Sequence, residues 1–435
     1  MSFTRNSCDV VIAGAGIAAA ATALRLCALG FRPLMLARTC RDLPGVEAIP
    51  SAAVPLFVEL GAEDILYEAG AALIEGFENH WNPEEPSLRS GYWIHVERGR
   101  LAKAAVREAV KRGARFRTCQ SLPTLREDPD CVCIDGDGAS LRFEVAIDAT
   151  GRSAAWSRPI RRRGTQVADV YDVLPDGKAL SGKIVLQSGG WAYRIGVADR
   201  TTVGMLSQAK KERYFPDALT EKALCLSSGS CSFIGRRPAF AQWAENPVQG
   251  RRIAVGDAAL AYDPLAGQGI RFALSSAITA SSVVNTWRST QSQAGAAERF
   301  YRKYVIRCRE SHFRFMDQLE AKSPPSEQRA ETIPELVTFS GESVRADLQF
   351  DSNIRADQAF LLPDGECVRW IGEIDLLSLR NSLPQTIRSS DLVDRLGVAT
   401  GGRQKAQTVM RWCLQNNILR EAASEPGKHE TSLGK

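Results

Sequence analysis

Apolar residues along this chain first cluster at Val10-Val11-Ile12-Ala13, directly before Gly14-Ala15-Gly16 and an alanine-rich stretch over residues 20–29. A short apolar run bounded by glycine predicts a buried strand, and the small-residue stretch behind it predicts a helix. Pro33-Leu34-Met35-Leu36 adds a second strand, so residues 8–40 read as strand, helix, strand. Further on, the pattern predicts a helix at 52–60, a strand at 92–96 and an amphipathic helix from 101 to about 111. Strands follow at 116–118, 131–134 and 143–149. Residues 180–235 alternate apolar and polar positions, as in Trp191-Ala192-Tyr193-Arg194-Ile195, which predicts an antiparallel sheet. A strand at 252–255 and a long helix at 270–287 complete this part. The polar stretch 323–327 reads as a linker. Ser389-Ser390-Asp391 opens a short helix and 404–416 forms another, as in a small helical or winged-helix unit. The expected domains are therefore a discontinuous nucleotide-binding domain at 1–165 and 245–320, an antiparallel-sheet domain at 166–244, a small C-terminal domain at 336–420 and a disordered tail at 421–435.

With 435 residues, 24% charged and 44% hydrophobic, the chain has the make-up of a soluble globular protein of two or three domains. Its net charge of +5 is spread out, so nucleic acid is not implied. The short run Arg161-Arg162-Arg163 reads as a solvated loop. Eleven cysteines are scattered, and only Cys131 and Cys133 lie close, on one face of a strand if alternation holds. Neither pairs with His80, His95, His312 or His429 at metal-ligand spacing, so no metal is expected and reduced thiols in a cytoplasmic protein are the reading. No signal peptide is visible, and no apolar stretch is long enough to span a bilayer.

The two glycine-rich turns carry the chemistry. In Gly14-Ala15-Gly16-Ile17-Ala18-Ala19, Gly14 permits a tight turn, Gly16 lets backbone approach a pyrophosphate, and Ala19 is small enough for helix-on-strand packing. Ala18 adds an amide at the helix start, where anions bind. There is no second such unit. Instead the chain returns through Gly256-Asp257-Ala258 into Asp263-Pro264-Leu265-Ala266-Gly267-Gln268-Gly269. Asp257 at a strand end can accept a hydrogen bond from a ribityl hydroxyl. Gly267 and Gly269 suit close approach of a flat ring, and the helix behind them would aim its positive end at it. One FAD fits this arrangement better than a nicotinamide nucleotide.

Together with Ile94-x-Val96-x-Arg98-Gly99-x-Leu101 and Asp148-Ala149-Thr150-Gly151-Arg152-Ser153, these pieces resemble, in order and over about residues 8–290, the group A flavoprotein monooxygenases and their relatives the flavin-dependent halogenases. The resemblance implies an α/β FAD-binding Rossmann-like fold of the p-hydroxybenzoate hydroxylase type, with an antiparallel-sheet substrate domain and a small C-terminal domain. It implies that Arg98 and Asp257 touch FAD and that Pro264, Gly267, Gln268 and Gly269 line the flavin ring. Two positions depart from the family. Ala37 stands where an acid usually holds the adenosine ribose, which implies either that FAD binds less tightly or that Arg38 compensates, and Gln268 replaces a smaller or different polar residue. The resemblance further implies oxygen chemistry through a peroxyflavin, which hydroxylates electron-rich rings or oxidises halide. The halogenase segment W-x-W-x-I-P is degraded here to Trp191-Ala192-Tyr193-Arg194-Ile195-Gly196, and residues 63–86, where a relay lysine would fall, contain no lysine. Hydroxylation is thus preferred.

With Gly45-Val46-Glu47-Ala48-Ile49-Pro50 and the extra C-terminal unit, the chain looks more narrowly like the flavoproteins that build protein-derived tryptophylquinone cofactors. That likeness implies a tryptophan in a partner polypeptide as substrate, other maturation proteins as partners, and electrons from NADH, NADPH or a separate flavin reductase. Pocket candidates are Glu47, Trp191, Tyr193, Tyr262, Pro264 and Gln268. Trp191 and Tyr193 share a strand face and read first as packing, Tyr262 as either packing or pocket, and His95 as a buried hydrogen-bonded residue. No catalytic base is named. A flavin reductase of isoprenoid double bonds, a halogenase, and a flavin-free partner-binding scaffold are the alternatives.

Overall fold

In this computed structural model, residues 8–38, 44–80, 87–128, 130–136, 139–173, 182–187, 190–208, 224, 231–320 and 333–422 are described. The expected linker at 323–327 and all but the first two residues of the expected tail lie outside them. The chain divides into two compact units, Met1–Ser323 with Asp351–Asn353, and Pro324–Phe350 with Ile354–Lys435.

The first unit is built on a six-stranded sheet in the order Val248–Gln249, Arg252–Ala254, Val145–Asp148, Val10–Ala13, Pro33–Arg38, Arg115–Cys119. All neighbours are parallel except the first pair. Its central strand Val10–Ala13 is completely buried, as expected for a strand covered on both faces. The helix Ile17–Ala28 packs on the sheet because Ala19, Ala20 and Ala23 show no exposed surface, so backbone meets backbone across small side chains. The segment expected as one strand over 143–149 is two: Ala139–Phe143 ends in a small three-stranded sheet, and Val145–Asp148 enters the central one.

An eight-stranded sheet forms the second layer, in the order Cys231–Pro238, Gln166–Val173, Arg200–Gln208, Gly190–Val197, Gly182–Gln187, Ala72–His80, Ser87–Glu97, Val46–Pro50. Three of its strands come from residues 46–97, well outside 166–244. The sheet is also not wholly antiparallel, since Gly182–Gln187 runs parallel to Ala72–His80. The chain leaves the nucleotide fold early, builds half of this sheet, and completes it only after residue 166. The last strand of the early half, Ser87–Glu97, runs straight into the helix Arg98–Lys111. Glu97 caps that helix by accepting a hydrogen bond from the Gly99 amide at 3.0 Å.

The second unit is mixed, not purely helical. Thr386–Arg388, Leu336–Phe339 and Leu419–Glu421 form an antiparallel sheet beside the helices Leu376–Ser382, Ser389–Thr400 and Arg403–Gln415. Phe360, Leu376, Leu392, Met410 and Ile418 fill a core of its own.

Candidate functional site

Strands Val10–Ala13, Pro33–Arg38 and Val145–Asp148 end side by side, so the turns that follow them share one edge of the sheet. Gly14 sits at φ +129°, and a Cβ there would strike the Ala149 carbonyl. Its amide donates to Leu36 O at 2.7 Å, and the Ala149 amide donates to Ala13 O at 2.8 Å. Gly16 has an ordinary extended conformation, and a Cβ on it would meet no atom within 4 Å. Packing within the chain therefore does not require glycine at 16, whereas close approach of a ligand does. The helix it opens has no side-chain cap and no acid in its first turn, so its leading amides remain available to an anion. Arg38 ends its strand with an exposed side chain beside buried Ala37.

The second glycine segment closes over the same edge. The Val255 amide donates to Asp148 O at 2.9 Å, and Gly256, at φ +56°, would bring a Cβ to 2.7 Å from Ala18 Cβ. The two glycine turns thus touch, and Ala18 is the small residue that lets them. Asp263 accepts from the Leu265 amide at 2.9 Å and starts a short 3-10 turn ending at Gly267, φ +61°. No atom lies within 4 Å of a Cβ built on Gly267 or Gly269, which leaves space beside both. Gln268 precedes the helix Gly269–Ser289, which has no side-chain cap, and its Oε1 accepts from Arg271 at 3.1 Å. Pro264 is exposed. Open space beside Gly16 on one side and Gly267 and Gly269 on the other, with two uncapped helix starts, fits a dinucleotide carrying a flat ring.

A charged cluster borders these turns. Glu47 Oε1 lies 3.2 Å from Arg98 Nη1, both half-buried, and Glu47 raises the Arg98 pKa above its ordinary value. Asp257 and Tyr193 also act on Arg98, and Asp257 Oδ2 lies 4.0 Å from Arg152 Nε. Burial, with Glu47 adding to it, pushes the Tyr193 phenol up to about 12. Burial first and Arg98 second lower the pKa of Arg237, whose guanidinium donates to the Pro44 carbonyl. Three guanidinium groups against two carboxylates leave the cluster net positive, which favours an anionic ring system.

Glu47, Tyr193, Arg98 and Asp257, which the sequence offered separately as pocket candidates and cofactor contacts, lie in one cluster. Tyr193 and Trp191 have ring centroids 5.8 Å apart and pack on Ala168, Val170 and Leu206, so both also serve the sheet core. Tyr262 engages Phe272, His312 and Cys308 on the side of the helix Ala294–Glu320. Asp148 is spent inside its own turn, accepting from the amides of Thr150 and Trp156 and from the Thr150 hydroxyl. His95 is buried, bonded through Nδ1 to Gly196 O at 2.9 Å, and burial lowers its pKa to about 4. Sequence reasoning gave no individual role to Arg152, read only as part of a turn at 148–153 that either closes the nucleotide domain or touches the flavin, and none to Arg237 or His312. Arg152 donates to the carbonyls of Phe240 and Tyr262 and ties the sheet to the second glycine segment. Arg237 enters from a distant strand. His312 Nε2 accepts from the Asp263 amide at 3.2 Å, anchoring the start of that segment.

The fold is the one found in flavin-dependent halogenases. It is similar to the flavin-dependent halogenase CmlS (TM-score 0.74, 15% identity, covering 97% of this chain and 98% of that one). It is equally similar to the peptidyl tryptophan dihydroxylase QhpG, essential for tryptophylquinone cofactor biogenesis (TM-score 0.70, 20% identity, 95% and 100%). By sequence, the chain is 22% identical over 363 residues to a tryptophan 2-halogenase of Chondromyces crocatus, matching 71% of this chain and just under two thirds, 66%, of that protein's length. No protein-family model matches. The expected architecture is thus borne out at the level of fold.

Proposed function

We propose that the protein is an FAD-dependent monooxygenase that hydroxylates an electron-rich aromatic ring, a tryptophan side chain carried by a partner polypeptide. The observation that carries this reading is the open space at Gly16 and Gly269, where nothing within the chain demands glycine, together with the free space beside Gly267. Amides at the start of the helix Ile17–Ala28 would hold the pyrophosphate, Asp257 would accept from a ribityl hydroxyl, and Arg98 would supply positive charge near the ring. Bound FAD, once reduced, supplies electrophilic oxygen drawn from dioxygen. One oxygen atom would enter the ring and the other would leave as water, with two electrons from NADH, NADPH or a flavin reductase and two protons completing the balance. The residues of the chain position the ring and exclude water.

Hydroxylation is favoured over halogenation by the lysine-free stretch 63–86 and by the loss of the second tryptophan and the proline after Trp191. Halogenation remains the second reading because of the similarity to halogenase folds. The purified protein, incubated with FAD, a reductant and tryptophan-bearing polypeptides encoded beside its gene, should add one or two oxygen atoms to the peptide by mass spectrometry. Turnover under strict anaerobiosis would refute a monooxygenase, and incorporation of added chloride or bromide would establish the halogenase.

A further inference from the structure

Cys131 and Cys133 project from one face of the strand Cys131–Gly136, and Asp128 faces them from the paired strand Thr124–Asp128. Both thiols are buried, at 6% and 2% exposure. Their sulfurs are 4.0 Å apart, and the Asp128 Oδ2 lies 3.8 Å from the first and 3.4 Å from the second. A tetrahedral zinc ion with bonds of about 2.3 Å to sulfur and about 2.0 Å to oxygen sets sulfurs about 3.8 Å apart and oxygen about 3.5 Å from each. The three donor atoms already stand near the corners of one face of such a tetrahedron.

Arg142, on the neighbouring strand, brings Nε to 3.2 Å from Cys131 Sγ. Two thiolates, one carboxylate, a divalent ion and this guanidinium sum to zero charge, so Arg142 completes the site instead of opposing it. A disulfide is a poorer use of the pair. Residues two apart on one strand are about 6.7 Å apart at Cα, at the far limit for a disulfide, and their side chains run parallel. On the other face, Val132 and Ile134 sit in the core against Trp156 and Phe143, which fixes the strand's orientation.

We propose that Asp128, Cys131 and Cys133 form a site for a thiophilic divalent cation of the zinc class, three protein ligands with the fourth position left to water, which pins the hairpin beside the central sheet. The site does not depend on the flavin reading. The test uses the full-length protein, reduced and stripped with a chelator. Zinc titrated in competition with a chromophoric chelator should bind at one equivalent and raise the melting temperature. Cadmium should give thiolate-to-metal absorption at the same stoichiometry. C131S and C133S should each abolish both signals, D128N should weaken them, and C231S, which changes an exposed cysteine, should leave them intact. Lack of a saturable equivalent in the unaltered protein, or binding that survives C133S, overturns the proposal. If a cysteine variant fails to fold, D128N, which keeps both thiols, carries the test: zinc and cadmium affinities equal to those of the unaltered protein overturn the proposal.

Discussion

Five glycines at the two turns look alike in the sequence, but the structure separates them into two kinds. Gly14 and Gly256 are demanded by the chain: each has positive φ, and a Cβ on either would meet Ala149 or Ala18. Gly16 and Gly269 are demanded by nothing inside the chain, since their Cβ positions are open. Gly267 is intermediate, needing its left-handed backbone but having free space beside it. The two turns also differ in anchorage. The first is held by backbone hydrogen bonds and by the Thr22 hydroxyl, which donates to Ala18 O at 2.8 Å, whereas the second adds the Ser276 hydroxyl and the His312 imidazole, which accept from the Gly256 and Asp263 amides. A glycine required by the fold and a glycine required by a ligand are thus told apart by what a side chain would hit.

The largest effect separates these classes. Gly14→Val should fail to fold or lose about 4 kcal/mol or more, since both φ and the Ala149 backbone forbid it. Soluble expression and thermal melting check this; a Gly14→Val protein that melts like the unaltered one breaks the distinction. Next, Gly16→Val should keep the fold and weaken FAD by roughly 100-fold, about 2.7 kcal/mol. Flavin absorbance after gel filtration, set beside an unchanged far-ultraviolet spectrum, reads it. Full flavin retention in this variant would remove the nucleotide from the first turn and, with it, the proposed function.

How much of this was legible in advance follows the range of the interactions. The elements at 10–13, 33–38, 98–111 and 269–289 were readable to within a few residues because local apolar patterning and flanking glycines define them. Arg98 was singled out only through family likeness, Asp257 by its place at a strand end, and their nearness to Glu47 was not readable, since nothing local connects residues 47, 98 and 257. The early half of the eight-stranded sheet was missed because its junction, Gly182–Gln187 against Ala72–His80, joins segments a hundred residues apart. Arg237 was hidden for the same reason. His312 did leave a trace: Tyr304, Cys308 and His312 recur every four residues along one helix face, the spacing of a buried polar stripe. For Cys131 and Cys133 the sequence showed the shared face but not that Asp128 closes on it.

The anchorage of the second turn gives a pH test. Burial lowers the His312 pKa to about 4, while the unfolded chain protonates near the ordinary 6.5. The folded state therefore resists a proton that the unfolded state accepts, so this stability is present above pH 6.5 and lost as pH falls towards 4. At pH 5 the loss attributable to His312 is about 2 kcal/mol. His95, also held near 4 by burial, contributes in the same window. His312→Gln keeps an acceptor for the Asp263 amide and should flatten part of the acid limb of the melting profile. Flavin release should also shift to lower pH in that variant. An unchanged acid limb would mean that the imidazole does not hold the loop.

The smallest effect concerns the ion pair of Glu47 and Arg98, which borders the second turn through Asp257. Glu47 and Arg98 are both half-exposed, so water screens their 3.2 Å contact, and Glu47→Gln should change stability by less than about 1 kcal/mol. Its consequence belongs to the ring instead. With the carboxylate neutralised, Arg98 and Arg237 are left with a larger positive field, which favours the reduced, anionic flavin over the oxidised one. The flavin midpoint potential should therefore rise in Glu47→Gln and fall in Arg98→Gln, while the melting temperatures of both stay near that of the unaltered protein. Equal and opposite shifts would place the pair beside the ring; a stability change without a potential change would make it an ordinary surface contact.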